Sequence, residues 1–410
     1  MAPGLDKLRH IVVLMLENRS FDHMLGSLAA VDPRIDGVTA GFSNPDTTGA
    51  VVKPQPLADF QGQLDPDPDH HFPAVDLQIF GGDTSPGRTA NMQGFVKSYF
   101  RQRGDVAHSQ NILYYFAQPQ LPVLTTLALE FAVFNRWFAS IPGPTVCNRA
   151  FAHFGTSFGR VDMNPLYISP QFKNIYSRLI HANPKRTAKL YYYDSTSSTL
   201  EVVNLLQNQP ELFGTYQQFL TDCKKGTLPD YSFVEPNYSD HDSGGGEELA
   251  NDQHPDHNVQ AGELYIATVY NAIRQNPALW ESTALLVTYD EHGGIFDHVA
   301  PPACPPDTPF TASGNATGTG REFKFDRLGV RVPAILISPW IPKGTVVNRV
   351  FDHASIPGTI TSFFLGDYDP RSEREKNADI FIEPKGPAVD PARNLLSLAS
   401  MRNDCPNFAV

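Results

Sequence analysis

Two pairs of oxygen-bearing side chains, Glu17-Asn18 and Asp290-Glu291, each stand directly behind an apolar run. Carboxylates and a carboxamide are ligands for hard cations. Behind the first pair come Arg19, Ser20, Phe21, Asp22 and His23. Behind the second come His292, Gly293, Gly294, Ile295, Phe296, Asp297 and His298. Taken alone, the first segment also reads as a turn that caps a helix, with Ser20 as the cap and Gly26 near the helix end. The second segment changes that reading. If the two runs are neighbouring strands, Glu17, Asp290 and Glu291 converge, and three close carboxylates repel unless a cation neutralises them.

The runs themselves supply the positioning. Residues 11–16 and 285–289 are short, branched and unbroken, the pattern of strands buried on both faces. In open α/β sheets, ligands bind at the carboxyl ends of such strands. Val332 to Ser338 reads as another buried strand. Leu124, Leu127, Ala128, Phe131, Phe134 and Phe138 recur at helical spacing and predict a helix over 121–138. The turn-rich loop Ser140-Ile141-Pro142-Gly143-Pro144-Thr145 follows, then a helix carrying Arg149, Phe151, His153 and Phe154. A further amphipathic helix is predicted over 259–275, stopped before Pro277. Residues 31–68 and 300–322 read as long loops bordering the site. Alternating strands and helices predict a three-layer α/β/α sandwich around a mainly parallel sheet. We divide the chain into a catalytic domain over 1–366 and a short charged extension over 367–410.

Composition sets outer bounds. The 410 residues are 41% hydrophobic and 19% charged, with a formal net charge of −12. With no Lys/Arg-rich run to offset that charge, a nucleic-acid or anionic-membrane partner is disfavoured. No run of 18 apolar residues marks a transmembrane helix. The start reads as cytoplasmic, with no signal peptide, or as secreted if a leader has been removed. Cys147, Cys223, Cys304 and Cys405 form no CxxC pair, which argues against structural zinc and leaves one or two disulfides open.

Several blocks together resemble one family. Glu17 to His23, and Tyr289 to Gly294 with Asp297-His298-Val299, look like the phosphoesterase family of phospholipases C and acid phosphatase A-type enzymes, most of all its plant-type non-specific phospholipases C. The likeness continues in Asp65 to His70, Arg136 to Ser140, Asn251 to Pro255 and Phe325 to Pro333. It implies an alkaline-phosphatase-like fold. It also implies Thr145 as nucleophile and one divalent metal held by Glu17, Asn18, Asp290, Glu291 and Thr145, with His70 and His254 facing the phosphoryl group. Asp240 and His241 are further catalytic candidates from the same likeness. The tail after about 367 is shorter than in plant members.

The chemistry is coherent. A threonine hydroxyl becomes a nucleophile at neutral pH when a metal lowers its pKa. A helix start behind Gly143-Pro144 adds N–H groups that favour an anion. His254 is placed to protonate a leaving oxygen, and His70 to bind phosphate or assist water. The oxygen-rich ligand set suits calcium, magnesium or manganese, and is compatible with zinc. Asn148 and Arg149 are candidates to orient or bind phosphate, and His298 to buttress the site. Asp22 and His23 read as structural, and His71, His153, His257 and His353 as uninvolved. The expected activity is phospholipase C chemistry on a phospholipid or small phosphoester, with peripheral membrane contact through loops and no protein partner. The alternatives are an acid phosphatase and, in another class, a non-catalytic metal-stabilised binding protein. Sulfatase chemistry would need its own Cys or Ser motif, which is not found.

Overall fold

Residues 11–16 are all fully buried, and a strand with no exposed face must be covered by other strands and by layers above and below. The computed structural model describes residues 3–164, 172–193, 209–242, 247–366, 368–385 and 389–409. Eight strands form the main sheet: β1 (His10–Leu16), β2 (Ala132–Phe134), β3 (Ala188–Tyr192), β4 (Phe213–Thr215), β5 (Tyr231–Val234), β6 (Thr283–Tyr289), β7 (Ala334–Ile337) and β8 (Thr345–Val347). Their order is β8-β2-β7-β6-β1-β5-β3-β4. Only β7 runs against the others, pairing antiparallel with both β6 and β2. The mainly parallel sheet expected from sequence is therefore observed.

The helices include α1 (Phe21–Leu25), α2 (Phe72–Phe80), α3 (Pro122–Glu130), α4 (Thr145–Phe154), α5 (Ile175–Ile180), α6 (Tyr216–Lys225), α7 (Val259–Arg274) and α8 (Ser355–Phe364); a nine-residue helix over Phe95–Arg103 and several shorter ones accompany them. Those flanking the sheet form two separate sets. α7 packs on α3 and α6, while α8 packs on α4 and α5. Sheet and helices make the three layers. No helix among the described residues is long and apolar enough to cross a membrane.

One expectation is revised, and two points left open are filled in. The helix over 121–138 ends at Glu130; Ala132–Phe134 joins the main sheet, and Trp137–Phe138 pairs in parallel with Phe351–Asp352. The phenylalanine spacing fits a helix, but pairing with β7 and β8 satisfies the backbone instead. The four cysteines, three of them buried, are free thiols and form no disulfide. Residues beyond 367 also enter the core, with Arg374, Glu375, Phe381, Ile382 and Leu396 all at most 2% exposed. They grip the helix that starts at Thr145. Arg374 donates to Ser140 O (3.0 Å) ahead of α4, and Ser372 Oγ donates to Gly155 O (2.6 Å) behind it.

Candidate active site

The register of β1 and β6 decides the geometry. Leu16 pairs with Tyr289, so Glu17-Asn18 and Asp290-Glu291 leave the sheet side by side. Asn18 turns with φ 55°, a left-handed conformation that asparagine tolerates, and its N–H donates to Asp290 Oδ1 (3.0 Å). Gly293, at φ +64°, makes the approach possible: a Cβ there would sit 2.1 Å from Asn18 O.

Arg149, one turn into α4 from Thr145, reaches between the strand ends. It donates to Glu17 Oε1 (2.6 Å), and its Nε lies 3.5 Å from Asp290 Oδ2. The same helix presents Thr145, whose hydroxyl lies 3.4 Å from Asn18 Oδ1. Thr145 is the first residue of a ten-residue helix, where backbone N–H groups lack intrahelical acceptors. Asn148 fixes the loop before it, accepting from Ile141 N (3.0 Å) and donating to Gly143 O (2.7 Å). His353, treated as uninvolved in the sequence, donates from Nε2 to Asp290 O (2.5 Å) while Nδ1 accepts from Trp137 (3.3 Å). Burial pushes its pKa down to about 4, so it stands as a neutral strut.

Two loops close the other side. His70 sits 3.5 Å from Asn18 Nδ2 and donates from Nδ1 to Pro68 O (2.8 Å). Burial opposes its charge, but Glu291 and Asp67 prevail and raise its pKa to about 9. The loop at 251–257 is stitched to the strand end by Glu17 N–H to Asp252 O (2.9 Å) and by Arg19, which donates to Gln253 O (2.6 Å) and His254 O (3.1 Å). It carries His254, whose ring lies 6.4 Å from that of His70. Asp67 stands between the two, 3.9 Å from His70 and 3.8 Å from His254.

The donor set fits a hard cation. Asp290 Oδ2 and Glu291 Oε1 are buried and accept no hydrogen bond, and both carboxyl groups are fully enclosed. Burial, with Asp290 and Asp252 beside it, holds the Glu17 carboxyl well above its ordinary range despite Arg149. Burial and the closeness of these carboxyls drive the Glu17 and Asp290 pKa values up, and a divalent ion would relieve it. Among the described residues, two clusters bring three ligand atoms within 4.8 Å of one another, and the Glu17–Asp290–Glu291 set is not one of them: Asp22-Asp297-His298 and His254-Asp256-His257. The first is already compensated by Arg331, bonded to Asp22 (2.9 Å) and Asp297 (3.1 Å). In the second, each imidazole has a carboxylate partner.

The model of the phosphoesterase family matches residues 8–365. The chain belongs to the phosphoesterase family. It is 40% identical to non-specific phospholipase C6 of Arabidopsis thaliana, over 97% of this chain and 74% of that protein. It is 29% identical to phospholipase C B of Mycobacterium tuberculosis strain H37Rv, over 86% and 73%. A distant likeness joins it to a solved alkaline phosphatase superfamily protein from Vibrio parahaemolyticus, at 14% identity and TM-score 0.34 over 59% of each chain. The chain is a phosphoric ester hydrolase.

In this phosphoesterase the structure brings together Glu17, Asn18, His70, Thr145, Asp290 and Glu291 through contacts on Asn18, Arg149 and the strand ends, with His254 across Asp67. Asp240 and His241 lie on a surface ribbon beside the 251–257 loop, where Asp240 is exposed, accepts from Ala250 N (2.7 Å) and faces His257 electrostatically, and His241 lies 3.7 Å from Glu248. His298 buttresses the fold: it bonds Asp22 (2.7 Å) and stacks on Phe42. His257 binds Asp252 (2.7 Å), which also caps His254 N–H (3.0 Å). Asp67, Asp252, Asp256, Arg19 and His353 were not singled out from sequence. Their one local signal is the His/Asp alternation in 65–71 and 252–257.

Proposed function

We propose that this chain is a metal-dependent phosphodiesterase of the phospholipase C type, releasing diacylglycerol and a phosphorylated head group. The observation that carries the reading is the pair of buried carboxylate oxygens that accept no hydrogen bond, Asp290 Oδ2 and Glu291 Oε1, beside the contact between Thr145 and Asn18. The names of the relatives support the substrate class. Glu17, Asn18, Asp290, Glu291 and Thr145 would hold the divalent cation. When bound it supplies charge neutralisation and a lowered pKa for the coordinated hydroxyl.

The chain's own residues supply the rest. Thr145 gives up its hydroxyl proton to solvent and its Oγ attacks phosphorus at the start of α4, where free N–H groups favour the phosphoryl oxygens. His254 gives its proton to the departing glycerol oxygen. His70, beside Asn18, stabilises the phosphoryl group. Water then takes phosphorus from Thr145, returning the hydroxyl. Arg149 holds Glu17 and Asp290 in place and opposes the rise that burial imposes on their pKa values.

The test is turnover of phosphatidylcholine, phosphatidylethanolamine, p-nitrophenyl phosphorylcholine and p-nitrophenyl phosphate with calcium, magnesium, manganese or zinc, against chelator. Diacylglycerol release that requires a metal is expected. Activity on the monoester alone moves the chain to acid phosphatase chemistry, and no turnover with any metal leaves a binding protein.

A further inference from the structure

Asp256 is the residue of the 251–257 loop whose position the reaction as described does not yet use. Its Oδ1 accepts from His254 Nδ1 in a very short hydrogen bond, and lies 3.7 Å from His257 Nε2. The other face of the His254 ring, Nε2, is turned toward Asp67 at 3.8 Å. His254 is about one-fifth exposed, enough for a proton donor that must recharge from solvent. The loop has little freedom to place the ring otherwise. Gln253 is held at φ 66° with its amide on Val259 O (3.0 Å), and it packs so closely on Gly262 that a Cβ there would meet Gln253 Cγ at 2.1 Å.

We propose that Asp256 is a positioning residue for the general acid: it accepts a hydrogen bond from Nδ1–H of His254, which fixes the tautomer and presents Nε2–H to the leaving oxygen. The inference rests on the proposed role of His254. In the step, the P–O bond to glycerol breaks and the electron pair leaves with oxygen. The Nε2 proton moves to that oxygen, and neutral imidazole remains, with Nδ1–H still on an ionised Asp256. The groups facing His254 are Asp256, Asp67, Asp252 on its backbone N–H, the rings of His257 and His70, and Arg19 on its carbonyl. Burial opposes the imidazolium, but Asp256, Asp67 and Asp252 outweigh it and the pKa of His254 is raised. The same pairing draws Asp256 down to about 2.

The experiment compares Asp256→Asn, Asp256→Glu and His254→Ala in the metal-loaded enzyme. Its substrates are phosphatidylcholine, a poor leaving group, and p-nitrophenyl phosphorylcholine, a good one. Asp256→Asn should lower kcat on the lipid by about 10- to 100-fold and on the nitrophenyl ester by less than about threefold, with KM changed less than about twofold. The alkaline limb of its lipid pH profile should move to lower pH, and Asp256→Glu should recover part of both effects. Equal losses on the two substrates, or an unmoved alkaline limb, overturn the inference. If His254→Ala shows the selective loss and Asp256→Asn does not, this inference alone falls. If His254→Ala shows none, the acid assignment falls with it. Should Asp256→Asn not fold, the wild-type His254 titration, followed by NMR and assigned with His254→Gln, decides: a midpoint at or below about 6.5 overturns the proposal.

Discussion

Replacing Arg149 by methionine keeps the buried stem and deletes the guanidinium that lies against both strand ends. Arg149 is fully buried, 2.6 Å from Glu17 and 3.5 Å from Asp290. Removing one partner of a buried ion pair costs about 3–5 kcal/mol, because the remaining charges lose their compensation. Unfolding entropy near 2.1 cal/mol/K per residue gives about 0.9 kcal/mol/K over this chain, so Tm should fall by roughly 3–6 °C. That figure applies in chelator. With millimolar divalent cation, the ion replaces the missing positive charge, and the deficit relative to wild type should shrink to under about 1–2 °C. Arg149→Lys, which keeps the charge without the fork, should fall between. The assay is thermal unfolding of the three proteins in EDTA and in each of four metals. An equal Tm deficit with and without metal would refute the reasoning, since Arg149 and the cation would then not share the same carboxylates. A loss under about 1 °C in EDTA would refute it too, by showing that Glu17 and Asp290 need no compensation.

Thr145→Ala should abolish turnover while stability changes by less than about 1–2 kcal/mol, read by urea unfolding; more than a tenth of wild-type activity would point to another nucleophile. Glu263 is buried beneath the start of α3, accepting from Val123 N (2.7 Å) and Leu124 N (3.1 Å), and burial raises its pKa to about 7. Its folded pKa lies above its unfolded one, so the stability it contributes is complete below about pH 4.5 and is lost as pH rises through 7. Glu263→Gln keeps the acceptor without the charge, and should gain up to about 3 kcal/mol on wild type between pH 5 and pH 8 in denaturant titrations. Gly293→Ala drives a Cβ into Asn18 O at a left-handed position, so metal affinity and activity should both drop at least about tenfold, measured by calorimetry and turnover.

What could be read from the chain was what lies within a few residues of a buried strand. Glu17-Asn18 and Asp290-Glu291 were legible because each follows an apolar run, and the parallel sheet because strands and helices alternate. The stretch 131–138 misled because phenylalanines at 131, 134 and 138 satisfy a helical period, while the pairings that make Ala132–Phe134 and Trp137–Phe138 strands lie some 200 residues away, at β7, β8 and Phe351–Asp352. Arg149 was noticed beside Thr145, but as a phosphate ligand. Its true partners, 132 residues off at Glu17 and further at Asp290, are set by tertiary packing. His353 and Asp256 carried no pattern of their own. One acts through a backbone carbonyl, and the other through a neighbour that sequence offers equally well as a surface pair.

The pairing of β1 with β6 also imposes a schedule on synthesis. His10 lies opposite Thr283, so the most apolar strand leaves the ribosome 273 residues before the neighbour that covers one edge of it. At about 5–20 residues per second, that is an interval of roughly 15–55 s. β5, its partner on the other edge, arrives only at Tyr231. During that time residues 11–16 have no sheet to join, and the ligand-bearing turn behind them has no counterpart. Residues 372–374, which tie down both ends of the helix behind Thr145, come later still. The site can therefore be assembled only once residues 283–291 and 372–374 have both been made, and β1 is the segment that chaperones have the longest opportunity to hold.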